Sequence, residues 1–115
     1  MIDYDTWKMI PDTDNKYEVC NRGIVRRIFY RKDGSVRTRR ELHPTKNAGA
    51  LRVWLKRYGK YAYFCVHRLV AEAFIDDFDL FDLKQRVKHI DGNIYNNFVS
   101  NLRVEIKEPT ITQQY

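Results

Sequence analysis

The segment from Val87 to Asn101 constrains the fold of this 115-residue chain more than any other. It opens with an apolar and basic run that ends at His89, and it continues with Asp91-Gly92-Asn93 and an asparagine pair at 96–97. β-branched residues favour strands, whereas Asp, Asn and Gly favour the backbone conformations of tight loops. We therefore predict a strand, a polar loop and a second strand, with the histidine where the first strand ends.

A histidine at that position has a specific chemical use. Its imidazole can deprotonate a water molecule, and nearby oxygen ligands can hold a divalent cation against a phosphodiester. The preceding residue, Lys88, carries an ammonium group that cannot ligate a cation. The segment thus combines a candidate general base with a neighbour that opposes a metal site.

Positive charge is concentrated in one third of the chain. The whole chain carries a net charge of +6, but residues 22–60 contain thirteen Lys/Arg and two acidic residues, a net charge of +11. The remaining residues carry a net charge of −5. Because the basic residues fall within strand patterns, they favour a phosphate-binding surface over a solvated face that only aids solubility.

Short strand patterns fill the region before the first helical pattern. We predict strands at residues 17–21, 24–30, 36–42, 51–56 and 61–66. Lys32-Asp33-Gly34-Ser35 is a hairpin signal, and residues 43–49 are expected to be irregular. Four aromatic residues could stack on bases, but their alternating positions favour the core: Trp7, Trp54, Tyr61 and Tyr63.

Helical spacing begins after these strands. Leu69, Val70, Ala73 and Phe74 fall on one face of a helix over residues 67–74. We expect an α+β fold with a twisted antiparallel N-terminal β-sheet, this one short helix and a C-terminal β-hairpin.

Cysteine usage and hydropathy exclude some classes of protein. Cys20 and Cys65 lie far apart without a Cys-x-x-Cys pair, which favours buried thiols in a reduced, cytosolic protein. No apolar run approaches the eighteen or so residues of a membrane span, and the N-terminus does not resemble a signal peptide. We therefore predict no membrane partner.

Three blocks of the sequence resemble phage and intron-encoded HNH homing endonucleases. The first matches the opening "WK-x-I…Y-x-V-S-N-x-G-x-V-R" with Trp7-Lys8, Ile10, Tyr17-Glu18-Val19, Asn21, Gly23 and Val25-Arg26. The second, residues 67–74, is similar to the "HRLVAEAF" helix of those proteins. The third comprises His89-Ile90-Asp91-Gly92-Asn93, Asn96-Asn97 and Asn101-Leu102. The blocks occur in the family's order and span residues 7–103.

The resemblance implies two modules and a set of roles. Residues 1–66 would form a basic β-sheet that binds DNA, and residues 67–115 would form the helix and an HNH-like ββα-metal motif. His89 would be the general base, and Asn101 would brace the loop. The family binds one divalent ion, Mg²⁺ or Mn²⁺, and cuts or nicks duplex DNA. The resemblance also places the protein in the cytoplasm of a bacterial host, encoded by a phage or mobile element.

The sequence departs from that pattern at both metal-ligand positions. Lys88 replaces the first ligand, and the second falls near Thr110, whose hydroxyl is a poor Mg²⁺ ligand. After Pro109 little sequence remains in this chain for the last helix, so we expect that helix to be reduced or missing. Asp91 could replace a ligand, although an Asp at this position more often binds its own turn.

The remaining candidate residues fall into three groups. Asn93 and Asn97 are predicted to brace the loop together with Asn101. A structural hydrogen-bonding role is the expectation for His67. The candidate DNA-binding residues are Arg22, Arg26, Arg27, Arg31, Arg37, Arg39, Arg40, Arg52, Lys56 and Lys88.

Three functions are compatible with these patterns. The first is a DNA-binding protein that grips duplex DNA through the basic sheet while cleavage is weak or lost. The second is an active metal-dependent nickase that uses His89. The third is a phage-encoded regulator that binds a host protein through exposed Phe78 and Phe81, although the simpler interpretation is that these rings anchor a connection into the core.

Overall fold

A computed structural model describes residues 5–107 of the chain. The described part contains nine strands, one α-helix and a single 3₁₀ turn. The strands are β1 (Trp7–Met9), β2 (Tyr17–Cys20), β3 (Val25–Tyr30), β4 (Val36–Glu41), β5 (Thr45–Asn47), β6 (Ala50–Arg57), β7 (Lys60–Cys65), β8 (Gln85–His89) and β9 (Leu102–Ile106). The helix α1 spans Val66–Phe74, and the 3₁₀ turn spans Val99–Asn101.

The strands form three antiparallel sheets. Strands β1 to β4 form a four-stranded sheet in sequence order, β5 to β7 a three-stranded sheet, and β8 and β9 a hairpin. The predicted α+β class with antiparallel sheets and one helix is confirmed. The N-terminal strands, however, divide between two sheets, and not one as the sequence suggested.

The Asp33-Gly34 signal produces the expected hairpin between β3 and β4. Gly34 adopts a positive φ of 90°, and the Asp33 carboxylate accepts hydrogen bonds from both the backbone N–H and the hydroxyl of Ser35. These two bonds hold the turn and lower the pKa of Asp33, with the Ser35 hydroxyl as the larger cause.

Residues 43–49 contain a strand that the sequence pattern did not indicate. Strand β5 pairs with β6 through a turn at Ala48 and Gly49, both of which have positive φ. All three residues of β5 are exposed, so this edge strand lacks the apolar alternation by which strands are predicted.

Helix α1 begins one residue before its predicted start and packs the two larger sheets onto the hairpin. Its buried residues are Val66, Leu69, Val70 and Ala71. On the predicted apolar face, Leu69 and Val70 are fully buried, and Ala73 and Phe74 are partly buried and packed against the core. The core also includes Val19, Val53 and Leu102, and so draws residues from both predicted modules.

The segment between α1 and β8 is held against the helix by Arg68. Its guanidinium donates hydrogen bonds to the carbonyls of Leu80, Asp82 and Gln85. Phe78 is buried in the core, as the interpretation of these rings as core anchors predicted, whereas Phe81 is half-exposed. A segment rich in Asp still buries Phe78 because the Arg68 bonds satisfy the nearby backbone carbonyls.

Thr110 and the position of the last helix, which the sequence predicts to be reduced or missing, lie outside the described residues. Cys20 is a buried free thiol, as predicted, whereas Cys65 is half-buried, and burial raises the pKa of that thiol. Within residues 5–107, α1 is far too short and polar to cross a membrane.

Candidate functional site

The loop between β8 and β9 is held together by the side chain of Asn101. Its Oδ1 accepts a hydrogen bond from the Asp91 backbone N–H at 3.1 Å. Its Nδ2 donates to the Asp91 carboxylate and to the Asn96 carbonyl, both at 2.9 Å. One amide therefore joins the end of the loop to its beginning, and this geometry agrees with the bracing role predicted for Asn101.

The carboxylate of Asp91 is directed into the same loop. Its Oδ1 accepts from the Asn93 N–H and Asn101 Nδ2, and its Oδ2 accepts from Asn96 Nδ2. The Asn93 backbone hydrogen bond, followed by the two amide side chains, lowers the pKa of Asp91. Because both oxygens are engaged, the geometry favours the loop-bracing alternative, and metal binding by Asp91 stays a prediction.

Asn93 and Asn97 complete the loop in different ways. The Asn93 Oδ1 accepts the Tyr95 N–H at 3.0 Å, which closes a local turn. Asn97 is buried, and its Nδ2 donates to the carbonyl of Ile94. The Asn97 Oδ1 thereby faces His89, whose Nε2 lies 2.6 Å away.

This contact fixes the tautomer of the neutral His89 ring. Because the Asn97 oxygen can only accept, the His89 Nε2 must carry the hydrogen and donate it. The lone pair of the ring then lies on Nδ1, the nitrogen that is free to accept a proton. The loop therefore leaves Nδ1, and not Nε2, as the nitrogen through which His89 would act as a base.

A second histidine packs against this ring. The His67 and His89 ring centroids lie 5.0 Å apart. Burial, with the charges of His89 and Arg68, lowers the pKa of His67 to about 4. His67 is therefore neutral at pH 7 and adds no charge beside His89, which fits the structural role predicted for it.

The surface next to His89 is basic. A pocket of about 180 Å³ is lined by Lys88, His89, Ile90 and Arg103. Lys88 and Arg103 are direct partners across the β8–β9 hairpin. Glu105 contacts both cations, at 3.8 Å from Lys88 and 2.7 Å from Arg103. One carboxylate therefore faces two positive charges, and the pocket as a whole suits an anion.

A second basic surface lies on one face of the four-stranded sheet. Three guanidinium groups surround the half-buried Phe29 ring, at 5.1 Å for Arg27, 6.0 Å for Arg37 and 5.8 Å for Arg40. We call Arg27, Phe29, Arg37 and Arg40 the arginine face. Within residues 5–107, no carboxylate forms an ion pair with these three arginines. Arg37 and Arg40 are exposed and available to phosphates, whereas Arg27 is half-buried and donates to the Tyr17 hydroxyl.

The opposite face of the same sheet uses its arginines differently. Arg26 and Arg39 both donate to the carboxylate of Glu18, which is buried. The guanidinium of Arg26 also stacks 3.5 Å from the Trp7 ring centre. The two arginines compensate a buried charge, and this structural role competes with the DNA contact predicted for them.

Two further predicted DNA contacts have local partners. Arg22 makes a bidentate ion pair with Asp5, and this pair lowers the pKa of Asp5. Arg31 donates to the Val36 carbonyl and to Ser35 in its own hairpin.

Comparison with known proteins yields two matches. The DNA endonuclease I-HmuI of Bacillus phage SP01 is 36% identical over 97 residues, which cover 84% of this chain and 50% of that protein. The solved structure of DNA binding and cleavage by the HNH homing endonuclease I-HmuI matches with a TM-score of 0.68 at 33% identity, covering 89% of this chain and 53% of that one. No family model matches the chain.

The chain belongs to the HNH homing endonuclease family. It spans about half the length of the relative that it matches. Membership explains why the sequence signals of the opening strands, of helix α1 and of the β8–β9 loop occur together in one chain.

The divalent ion that an HNH endonuclease implies does not fit the residues that the structure describes. Within residues 5–107, no three His, Cys, Asp or Glu side chains are grouped so that they could hold a metal. Lys88 brings a cation to the place of the first ligand, and Asp91 spends both oxygens on its loop.

Two residues, Arg103 and Gly23, belong to this site through contacts that the sequence pattern does not indicate. Arg103 follows the asparagine block, but only the strand register brings it opposite Lys88. Gly23 lies in the opening block, and a Cβ placed on it would come within 2.5 Å of the Asn97 Cβ. Gly23 therefore allows the loop to pack closely against the N-terminal sheet, and the hydrogen bond from the Val99 N–H to the Asn21 carbonyl holds it there.

We expect Asn101→Ala to open the β8–β9 loop. Three hydrogen bonds are lost, each contributing about 1 kcal/mol, so the loop should lose about 2–4 kcal/mol of protection. Amide hydrogen exchange of Asp91 measures this opening directly. Asn47→Ala, in exposed β5, is the matched control, and equal protection of Asp91 in both variants would show that Asn101 does not brace the loop.

Proposed function

We propose that this protein binds duplex DNA and cleaves it weakly or not at all. The observation that carries the proposal is the pairing of Lys88 and Arg103 beside His89, where a nuclease of this family would gather oxygen ligands around a cation. A phosphate is attracted by these two groups, whereas a divalent cation is repelled. The pocket is thus built to hold a backbone phosphate more readily than to activate water.

The arginine face supplies the larger part of the proposed DNA contact. Beyond Arg27, strand β3 is in register only with β4, so this end of the hairpin is a two-stranded ribbon, a shape that enters the DNA major groove. Arg27, Arg37 and Arg40 would contact phosphates and base edges from this ribbon. Arg52, Lys56 and Lys88 extend the positive surface, and the similarity to a DNA endonuclease supports DNA as the ligand.

An active nickase is the second candidate function. The observation in its favour is the His89 tautomer, because the bond to Asn97 leaves Nδ1 free to accept a proton. Its activity would depend on Mg²⁺ or Mn²⁺ and would disappear in His89→Ala. A host-protein partner has no support among the described residues, since Phe78 is buried in the core.

Nicking and binding assays on one supercoiled or labelled duplex separate the two candidates. We expect duplex binding that does not need a divalent cation, with little nicking in Mg²⁺ or Mn²⁺. Efficient nicking by the wild-type chain that is lost in His89→Ala would overturn the first proposal and establish the second.

Lys88→Asp tests the cause of the weak cleavage. The substitution removes a positive charge and adds an oxygen ligand beside His89, so we expect Mn²⁺ affinity, followed by calorimetry, to rise at least about tenfold. Any basal nicking should rise with it, while duplex affinity should fall as one phosphate contact is lost. Arg86→Asp, at an exposed position on the same strand, is the control for added negative charge. Equal Mn²⁺ affinity in the two variants would show that Lys88 does not block a metal site.

A further inference from the structure

The second sheet exposes a cluster of aromatic residues that the proposed duplex contact does not use. Trp54 on β6 and Tyr61 and Tyr63 on β7 are 51%, 53% and 52% exposed. The sequence-based expectation that these three rings lie in the core is wrong. The core is formed instead by the alternate residues Val53 and Leu55, whose side chains point to the other side of the sheet.

The three rings form a continuous surface. Trp54 lies directly opposite Tyr63 in the strand register, with ring centroids 4.7 Å apart. Trp54 and Tyr61 lie nearly parallel, at an interplanar angle of 10° and a centroid distance of 5.9 Å. Each ring supports its neighbour and keeps about half of its own surface in solvent.

Basic side chains border the rings on both sides. The Arg52 guanidinium lies 5.0 Å from the Tyr63 ring centre, and the Lys56 ammonium lies 5.9 Å from that of Tyr61. We call these two residues and the three rings the aromatic face. Strands β5, β6 and β7 contain no Asp or Glu, so no acidic side chain of this sheet neutralises the border.

A purely structural role accounts for only part of this arrangement. Cross-strand aromatic pairs stabilise a hairpin. That benefit does not require three large rings to remain half-exposed, nor a cation at each end without an acidic partner in the sheet. Exposed aromatic rings interleaved with cations are the combination that binds unpaired bases, because rings stack on bases while cations contact the phosphates between them.

We propose that the aromatic face binds a short single-stranded nucleic acid segment, with two or three unpaired bases stacked on Trp54, Tyr61 and Tyr63. Arg52 and Lys56 contact the flanking phosphates. Duplex DNA hides the faces of its bases, so the three rings bind only unpaired bases and do not depend on the arginine face. Arg52 and Lys56 are the two residues shared with the positive surface proposed for duplex DNA. DNA and RNA single strands share the stacking and phosphate chemistry, and the binding experiment compares them.

Tryptophan fluorescence tests the proposal in the full chain. The chain has two tryptophans, so Trp7→Phe leaves Trp54 as the reporter and keeps an aromatic ring beside Arg26. We expect a ten-residue thymidine oligonucleotide or its uridine counterpart to quench the fluorescence of Trp54 saturably. The oligonucleotide with the higher affinity shows whether the site prefers single-stranded DNA or RNA. A self-complementary duplex of similar length should quench much less. Absence of saturable quenching by both single strands would overturn the proposal.

Affinity measurements on variants assign the binding to the rings. With a labelled oligonucleotide, Trp54→Leu should weaken single-strand binding by about 5- to 150-fold, the usual effect of removing one stacking ring. Phe81→Leu, at an equally exposed aromatic outside these strands, should not weaken it. Circular dichroism checks that each variant folds. If Trp54→Leu does not fold, the affinity of Tyr63→Leu is measured in its place. Unchanged affinity in the folded ring variants would contradict the site.

The same variants separate this proposal from duplex binding. Trp54→Leu should leave duplex affinity unchanged, whereas Arg37→Ser with Arg40→Ser should weaken duplex binding and spare the quenching of Trp54. Loss of duplex binding alone would leave the aromatic face intact, and loss of single-strand binding alone would leave the proposed duplex function intact.

Discussion

Raising the salt concentration from 50 to 200 mM should lower the affinity for duplex DNA by roughly 10³- to 10⁵-fold. This range follows from the release of counterions when six to ten phosphates are neutralised. The candidates without an ion pair among the described residues are Arg27, Arg31, Arg37, Arg40, Arg52 and Lys56. Lys88 and Arg103, which share Glu105, complete a set of the required size.

Two neighbouring arginines provide a matched test of this expectation. Arg40→Ser removes a cation of the arginine face and should reduce the slope of log affinity against log salt by about one. Arg39→Ser, one residue away on the opposite face, removes a cation that already pairs with Glu18, so the slope should change less. Filter binding or fluorescence anisotropy at five salt concentrations measures both slopes. A flat salt dependence of the wild-type chain would rule out phosphate contacts as the source of binding.

The largest loss of stability is expected from Arg57→Met. Arg57 is 4% exposed and forms two hydrogen bonds with the Glu72 carboxylate, at 2.9 and 2.6 Å. Burial alone would lower the pKa of Arg57, but the bonds and charge of Glu72 outweigh it and raise that pKa. Removing the cation leaves a largely buried carboxylate unpaired, which should cost about 3–5 kcal/mol. The melting temperature should fall by about 15 °C or more.

Two controls show whether the unpaired charge is the cause. Arg57→Met combined with Glu72→Leu replaces the pair by apolar side chains and should recover most of the lost stability. Arg22→Ala breaks the exposed pair with Asp5 and should change the melting temperature little. If the double variant were no more stable than Arg57→Met alone, lost packing and not the charge of Glu72 would explain the effect.

Elements with a strong local signal were predicted well from the sequence. Asp33-Gly34 produced its hairpin because Gly34 takes a positive φ there at no steric cost. The helix was placed to within one residue, because its apolar spacing arises from a single amphipathic segment. The loop after His89 was recognised because Asp and Asn bind their own backbone, an interaction that depends on residues close in sequence.

Elements that depend on distant partners were not predicted. Strand β5 is exposed at a sheet edge and shows no apolar alternation, so only its pairing with β6 defines it. The packing of α1 decides which face of β6 and β7 is turned to the core. Trp54, Tyr61 and Tyr63 lie on the other face and are therefore exposed to solvent. The same choice buried Arg57 with Glu72, although in the sequence Arg57 is one of thirteen similar basic residues.

The sequence by itself determined the family, the α+β class and the local turns, since these follow from ordered motifs and from interactions over a few residues. Only the tertiary structure decided which basic residues are available to a phosphate. Arg26 and Arg39 compensate Glu18, Arg57 compensates Glu72, and the arginine face keeps its charge. The physical reason is that an ion pair depends on a distance of a few ångströms between side chains, and this distance is set by strand register and packing.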